Sequence, residues 1–178
     1  MPVARTTAVP ASDLCERIEA RLPGALDGPA ASGAVYLRAG KLVEVCEALR
    51  DDREIDGRYL NDISAVDRYD HFEVVYHVTS LSHNHAFALK VRTDHEAPEV
   101  PSVSAVWQAA HLQEREIYDL MGIRFTGHPD LKRLLLWEGF PGHPLRKDFL
   151  SLPGGVKPGL QRFPKEDPNA WGGEFRAN

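Results

Sequence analysis

Cysteine is scarce: Cys15 and Cys46 are the only two in 178 residues, too few and too far apart for a metal or redox motif. No spacing here can hold an iron–sulfur cluster. Each falls on the apolar face of a helical pattern, where a cysteine acts as a small buried hydrophobe. Long apolar runs are missing as well, since nothing approaches the ~20 residues that cross a bilayer. The first twelve residues lack the apolar stretch of a secretory leader, so the expectation is a protein that is not exported and works in a reducing compartment. Basic charge is in deficit, with 21 Lys and Arg against 26 Asp and Glu and a net charge of −5. That argues against general nucleic-acid binding, which needs a basic face. A glycine-rich phosphate loop is absent: Gly154-Gly155 opens no helix and follows no strand of a parallel sheet. No serine stands in a Gly-x-Ser-x-Gly turn.

What is present is an ordinary globular composition, 43% hydrophobic and 26% charged, in a length that suits one domain with an appendage. The texture divides the chain into a domain over residues 1–150 and an arm over residues 151–178. Residues 1–11 read as polar and frayed. Ser12 or Asp13 offers a helix cap, after which Leu14, Ile18 and Leu22 recur at four-residue steps until Pro23-Gly24. Residues 25–33 read as loop and Val35-Tyr36-Leu37 as a short strand. Leu42, Val45, Cys46 and Leu49 show the spacing of an amphipathic helix that Asp51-Asp52 closes. A strand over residues 59–66 and a turn over 67–70 follow. Phe72, Val74, Tyr76 and Val78 then alternate with Glu73, Val75, His77 and Thr79, and Phe87, Leu89 and Val91 alternate downstream. The short connection between them predicts an antiparallel hairpin. The His83-x-His85 pair in that connection is read as a solvated turn in preference to a metal pair.

The acidic, proline-bearing stretch 94–101 reads as a loop, and Ser102 or Ser104 as the cap of the next helix, with Val103, Val106, Trp107, Ala110, Ile117 and Met121 as its buried stripe. Gly122 ends that helix, because glycine takes the left-handed conformation without a Cβ clash. At ~100° per residue Arg115 and Asp119 share one face and Glu114 and Tyr118 the adjacent one, so these charges read as surface ion pairs. Glu114 and Glu116 stand two residues apart on a helix and do not converge as an acid–base pair. Beyond it come two Gly-His-Pro turns, Gly127-His128-Pro129 and Gly142-His143-Pro144. Pro129 keeps His128 out of helix, Asp130 follows, and Lys132 and Arg133 project to one side of an apolar segment over residues 131–137. A two-histidine metal site is one reading of the echo; the preferred one is that each ring orders its turn by a hydrogen bond. The arm carries Leu160, Phe163, Trp171 and Phe175 among many prolines and glycines, which suits an extended segment ordered against a partner better than a flexible tail.

The run Glu114-Arg115-Glu116, Asp119-Leu120-Met121, His128, Lys132 and Leu134-Leu135 closely resembles the signature of the C subunit of NADH-quinone oxidoreductase, a small peripheral-arm component of respiratory complex I. Gly142-His143-Pro144-Leu145-Arg146-Lys147-Asp148-Phe149 continues the match, and residues 72–77 and 100–103 are also similar. The resemblance covers roughly residues 59–149. Lys132 stands where the family more often has Arg, and Met121 replaces a common aromatic. The strand and helix patterns predict an α+β fold with a mainly antiparallel sheet backed on one face by helices, followed by an extended C-terminal arm that the resemblance does not reach. The resemblance implies a subunit without cofactor of its own, flavin and iron–sulfur clusters residing in partner subunits, docked chiefly on the D subunit with the B and I subunits as further neighbours. The place it implies is the cytoplasmic face of the cell membrane, peripheral through the complex. It also moves the charged residues of the run from helix-surface pairs toward a contact between subunits. Two other readings remain: the homologous small module of a membrane-bound hydrogenase or formate hydrogenlyase complex, and a stand-alone metal-dependent hydrolase using the histidines.

Overall fold

The computed structural model describes residues 6–149. Its elements run β1 (Thr7–Ala8), α1 (Ala11–Arg21), β2 (Ala34–Leu37), α2 (Leu42–Asp51), β3 (Tyr59–Asp67), β4 (His71–Ser80), β5 (His85–Asp94), β6 (Glu99–Pro101), α3 (Ala110–Met121) and β7 (Arg124–Thr126). β3, β4 and β5 form an antiparallel meander, with Ile63 opposite Tyr76 and Tyr76 opposite Leu89. β1 and β2 lie end to end along the far edge of β5, both parallel to it, so the sheet has five strands. The domain is α+β, and the expected hairpin of β4 and β5 is there.

Period-two alternation explains which face is covered. Phe72, Val74, Tyr76 and Val78 of β4 point the same way as Leu89 and Val91 of β5 and Val35 and Leu37 of β2, and all are buried in one cluster. The same cluster holds Leu14 and Ile18 of α1, Leu42, Val45, Cys46 and Leu49 of α2, and Ile117 and Met121 of α3. The helices therefore cover one face of the sheet. Each large side chain buried there, such as Phe72 or Leu37, contributes roughly 1.5–3 kcal/mol. On the opposite face the Tyr36 hydroxyl donates to Glu73 at 2.9 Å, Arg68 and Lys90 approach the same carboxylate at 3.1 and 3.5 Å, and Arg92 stacks over the Tyr36 ring. Glu73, a polar-face position in the alternation, is buried under its own partners.

Four local expectations are corrected. Helix α1 begins at Ala11 after Pro10, whose fixed φ of −57° starts the turn, and neither Ser12 nor Asp13 caps it. Thr7–Ala8 is strand rather than frayed chain, because its backbone finds the open edge of β5. Residues 99–101 are strand β6, paired in parallel with β7, a partner that no local pattern announces. Helix α3 begins at Ala110, not near Ser102. The Val103 carbonyl accepts from both Val106 and Trp107, and the Trp107 indole donates to Gly57 at 3.0 Å, so residues 103–109 form successive turns that carry the apolar side chains into the core.

Candidate functional site

Helix α3 and the irregular chain after β7 build one site around Asp119, which has no exposed surface. Its Oδ2 accepts the backbone N–H groups of Leu134, Leu135 and Leu136 at 2.9, 2.7 and 2.9 Å. Its Oδ1 accepts from the Arg133 guanidinium at 2.9 Å. Burial alone would raise this carboxyl, yet the three amides and Arg133 outweigh it and hold Asp119 below the usual carboxylate range. Arg133 reaches further, to the carbonyls of Phe140 and Gly142, each at 3.2 Å. One acid and one base thus pin three stretches of otherwise irregular chain to the helix.

The end of α3 is closed by Gly122, with φ +79° and its N–H on the Tyr118 carbonyl. The His143 ring packs against it: a Cβ at Gly122 would stand 2.6 Å from His143 Cδ2. His143 Nδ1 lies 2.9 Å from the Asp119 carbonyl, which can only accept, so Nδ1 carries the proton. Burial pushes His143 below the ordinary histidine value, and so it does His128. The His128 ring bridges the His111 carbonyl at 3.0 Å and the Asp130 N–H at 3.0 Å. Each Gly-His-Pro turn is thus ordered by a ring hydrogen bond, and the two rings do different jobs. Among the described residues no group of three or more His, Cys, Asp or Glu could hold a metal ion.

Glu114 is the second buried acid. Its oxygens accept the Ser102 hydroxyl at 2.6 Å and the Val103 N–H at 2.7 Å, which ties α3 to the exit of β6. Burial raises its carboxyl to about 7, against the lowering effect of those two donors. The helix-surface ion pairs expected for this run do not form. Arg115 does not pair with Asp119 but donates to the carbonyls of Lys132 and Arg133, each at 3.2 Å. Glu116 is exposed. Lys132 and Arg133 do not share a side either: Lys132 is exposed and pairs with Asp130 at 2.7 Å, while Arg133 turns inward.

The last signature block folds back onto the sheet. Arg146 donates to the His95 carbonyl at 3.0 Å and to Asp148, and lies over the Phe72 ring. The Lys147 N–H bonds Asp67 at 2.9 Å, and Leu145 N–H bonds the Leu120 carbonyl at 3.0 Å. Asp67, His95 and Ser102 are therefore positioning residues, although local pattern marks them only as turn, loop and cap. Their types gave no stronger signal, because their partners stand 12 to 80 positions away. At the surface Leu134 and Leu135, whose amides Asp119 captures, keep exposed side chains, and Pro129 and Leu145 are exposed as well. Phe163, Trp171 and Phe175 of the arm lie outside the described residues.

Together these features define an α+β scaffold whose buried charges shape a long loop surface. The sequence pattern of the 30 kDa subunit of respiratory-chain NADH dehydrogenase matches residues 35–153, and the chain belongs to that family. It is 44% identical over 139 residues to the NADH-quinone oxidoreductase C subunit of Roseiflexus sp. (strain RS-1), spanning 75% of this chain and 80% of the relative. Over 141 residues it is 46% identical to the corresponding C subunit of Caulobacter vibrioides, spanning 76% and 71%. Among solved structures, a trypsin-resistant fragment of Nqo5 superposes with a TM-score of 0.51 and 31% identity, over 66% of this chain and 99% of the fragment. A chain of an archaeal membrane-bound sulfane sulfur reductase shares the fold, with a TM-score of 0.62 and 22% identity over 78% and 84% of the two chains.

Proposed function

We propose that the chain is a structural subunit of the hydrophilic arm of a NADH-quinone oxidoreductase, docked on the D subunit and bracing the region where quinone reacts, with the B and I subunits nearby. The flavin and iron–sulfur clusters that carry electrons from NADH belong to partner subunits in this reading, and the chain sits at the cytoplasmic face of the membrane through the complex. Family membership supports the setting, and no helix of the described residues is long and apolar enough to cross a membrane. The observation that carries the docking role is the Asp119 centre. A buried acid that fixes three consecutive amides gives a loop one shape without sheet or helix, and a single shape is what a docking surface needs to avoid ordering losses on binding. The arm over residues 151–178, with Phe163, Trp171 and Phe175 as anchors, extends the same contact along the D subunit.

The test compares melting of the free full-length chain with its co-purification on the D subunit. Asp148, whose side chain is 55% exposed, is the cleaner target, because Arg146 is also tied to His95 within the domain. Asp148→Ala should leave melting unchanged and weaken retention. Full retention with a lowered melting temperature would assign Asp148 to the fold and remove the reading's support there.

A further inference from the structure

β3 closes one side of the five-stranded sheet and pairs only with β4 among the described residues. Its nine residues leave one row of backbone N–H and C=O groups facing outward, the situation that strand addition exploits. A cavity of about 210 Å³ runs between this edge and helix α3. Ile63 and Ala65 on the strand and Ile117 and Leu120 on the helix give it apolar walls, and Leu145 also lines it. So does Gln113. Its Nε2 donates to the Asn61 carbonyl at the irregular step of β3, while its Oε1 is buried and has no hydrogen-bond partner among the described residues. An acceptor left unsatisfied beside an unpaired strand edge is chemistry that an incoming backbone N–H would complete.

Charge narrows the occupant. Asp62 on the strand and Glu116 on the helix line the same cavity, and neither forms an ion pair among the described residues. A second copy of the chain paired edge to edge would bring these acids against their equivalents, which disfavours self-association. We propose that the β3 edge is a strand-addition site for an extended segment of a neighbouring subunit. That segment places alternate apolar side chains against Ile117 and Leu120 and carries Lys or Arg where it passes Asp62 and Glu116. The proposal rests on the reading of the chain as a docking subunit, but concerns a different face from the loop that Asp119 holds.

Residue-resolved hydrogen exchange on the free full-length chain and on the purified complex tests it. Outward-facing amides of residues 59–67 should exchange freely in the free chain and slow by more than about tenfold in the complex. Charge reversal at both acids, Asp62→Arg with Glu116→Arg, should leave the melting of the free chain unchanged and abolish that slowing. Amides already slow in the free chain would overturn the proposal, since the edge would be covered from within. So would a free-chain dimer by light scattering that the charge reversal dissociates. A complex that assembles normally while residues 59–67 exchange as in the free chain would overturn this site and leave the subunit reading standing. Failure of the chain to enter the complex at all would remove both.

Discussion

Asp119 and Arg133 meet at 2.9 Å, the acid without exposed surface and the base about one quarter exposed. Fourteen positions separate them, and what lies between, strand β7 and the first Gly-His-Pro turn, has almost no regular structure of its own. The pair substitutes for secondary structure. Asp119 takes the amides that a strand or helix would have satisfied, and Arg133 takes the carbonyls of Phe140 and Gly142.

Removing the acid should therefore be severe. Asp119→Ala takes the carboxylate from three backbone amides and from the Arg133 guanidinium, and breaking a buried pair from one side costs about 3–5 kcal/mol. Because its carboxyl is held below the usual range, Asp119 stabilises the fold above the ordinary carboxylate value, and that contribution is lost as pH falls through its folded value. Denaturant midpoints measured from neutral pH downward should show an acid loss in the parent chain that Asp119→Asn lacks. Parallel curves for the two would refute this account of the site.

Glu114 should behave with the opposite sign. Its folded value of about 7 lies above that of an unfolded glutamate, so its protonated form is the one the core prefers. The contribution is fully present below the unfolded value and disappears as pH rises toward and through about 7. The size is on the order of 3 kcal/mol. Glu114→Gln keeps an acceptor for the Val103 N–H and never ionises, so the parent should lose stability relative to it across that window and be the less stable of the two at pH near 8. A parent chain that gains stability relative to Glu114→Gln over the same interval would show that the carboxylate is well solvated after all.

The contrast between the two acids also shows what the sequence made legible. Alternation in β4 and β5 and the 42–49 periodicity were enough for the meander and for α2, because burial on one face writes itself into every second or every third and fourth residue. Glu114 was legible in principle. Ala110, Glu114, Ile117 and Met121 step by four, three and four along the buried side, and the acid fills the gap that an apolar stripe would leave. Its charge disguised it. Asp119 was not legible, since it is buried by the loop over residues 133–143 and not by the helix packing that gives periodicity. β1, β6 and β7 are two or three residues long, too short for alternation to register, and each is a strand only because another element lies beside it.

On the open face of the sheet, Glu73 offers a third measurement. Burial would raise its carboxyl, yet the Tyr36 hydroxyl, Arg68 and Lys90 together hold it below the usual range. Tyr36→Phe removes one donor to a buried carboxylate and should cost about 1.5–3 kcal/mol, the range for hydrogen bonds to charged groups. The loss should appear near neutral pH and shrink in acid, where Glu73 is protonated in the unfolded chain and then in the folded one. No loss at either pH would mean that the ring packing under Arg92, which phenylalanine keeps, and not the hydroxyl, is what Tyr36 supplies.

Two glycines separate backbone strain from side-chain packing. Gly122 and Gly127 both have positive φ, +79° and +82°, so alanine at either carries the strain of the left-handed region, about 1–3 kcal/mol. Around Gly127 a Cβ meets nothing within 4 Å. At Gly122 it meets the His143 ring at 2.6 and 2.8 Å, so the ring must move, and with it the hydrogen bond from Nδ1 to the Asp119 carbonyl. Gly122→Ala should therefore destabilise more than Gly127→Ala in the same denaturant series. Only Gly122→Ala should also raise the His143 titration toward the ordinary histidine value, because a ring displaced toward water loses the burial that lowers it. Both readouts come from NMR and unfolding curves of the two single variants. If the two alanines cost the same and the His143 titration stays in place, the ring is not a wedge against the helix end.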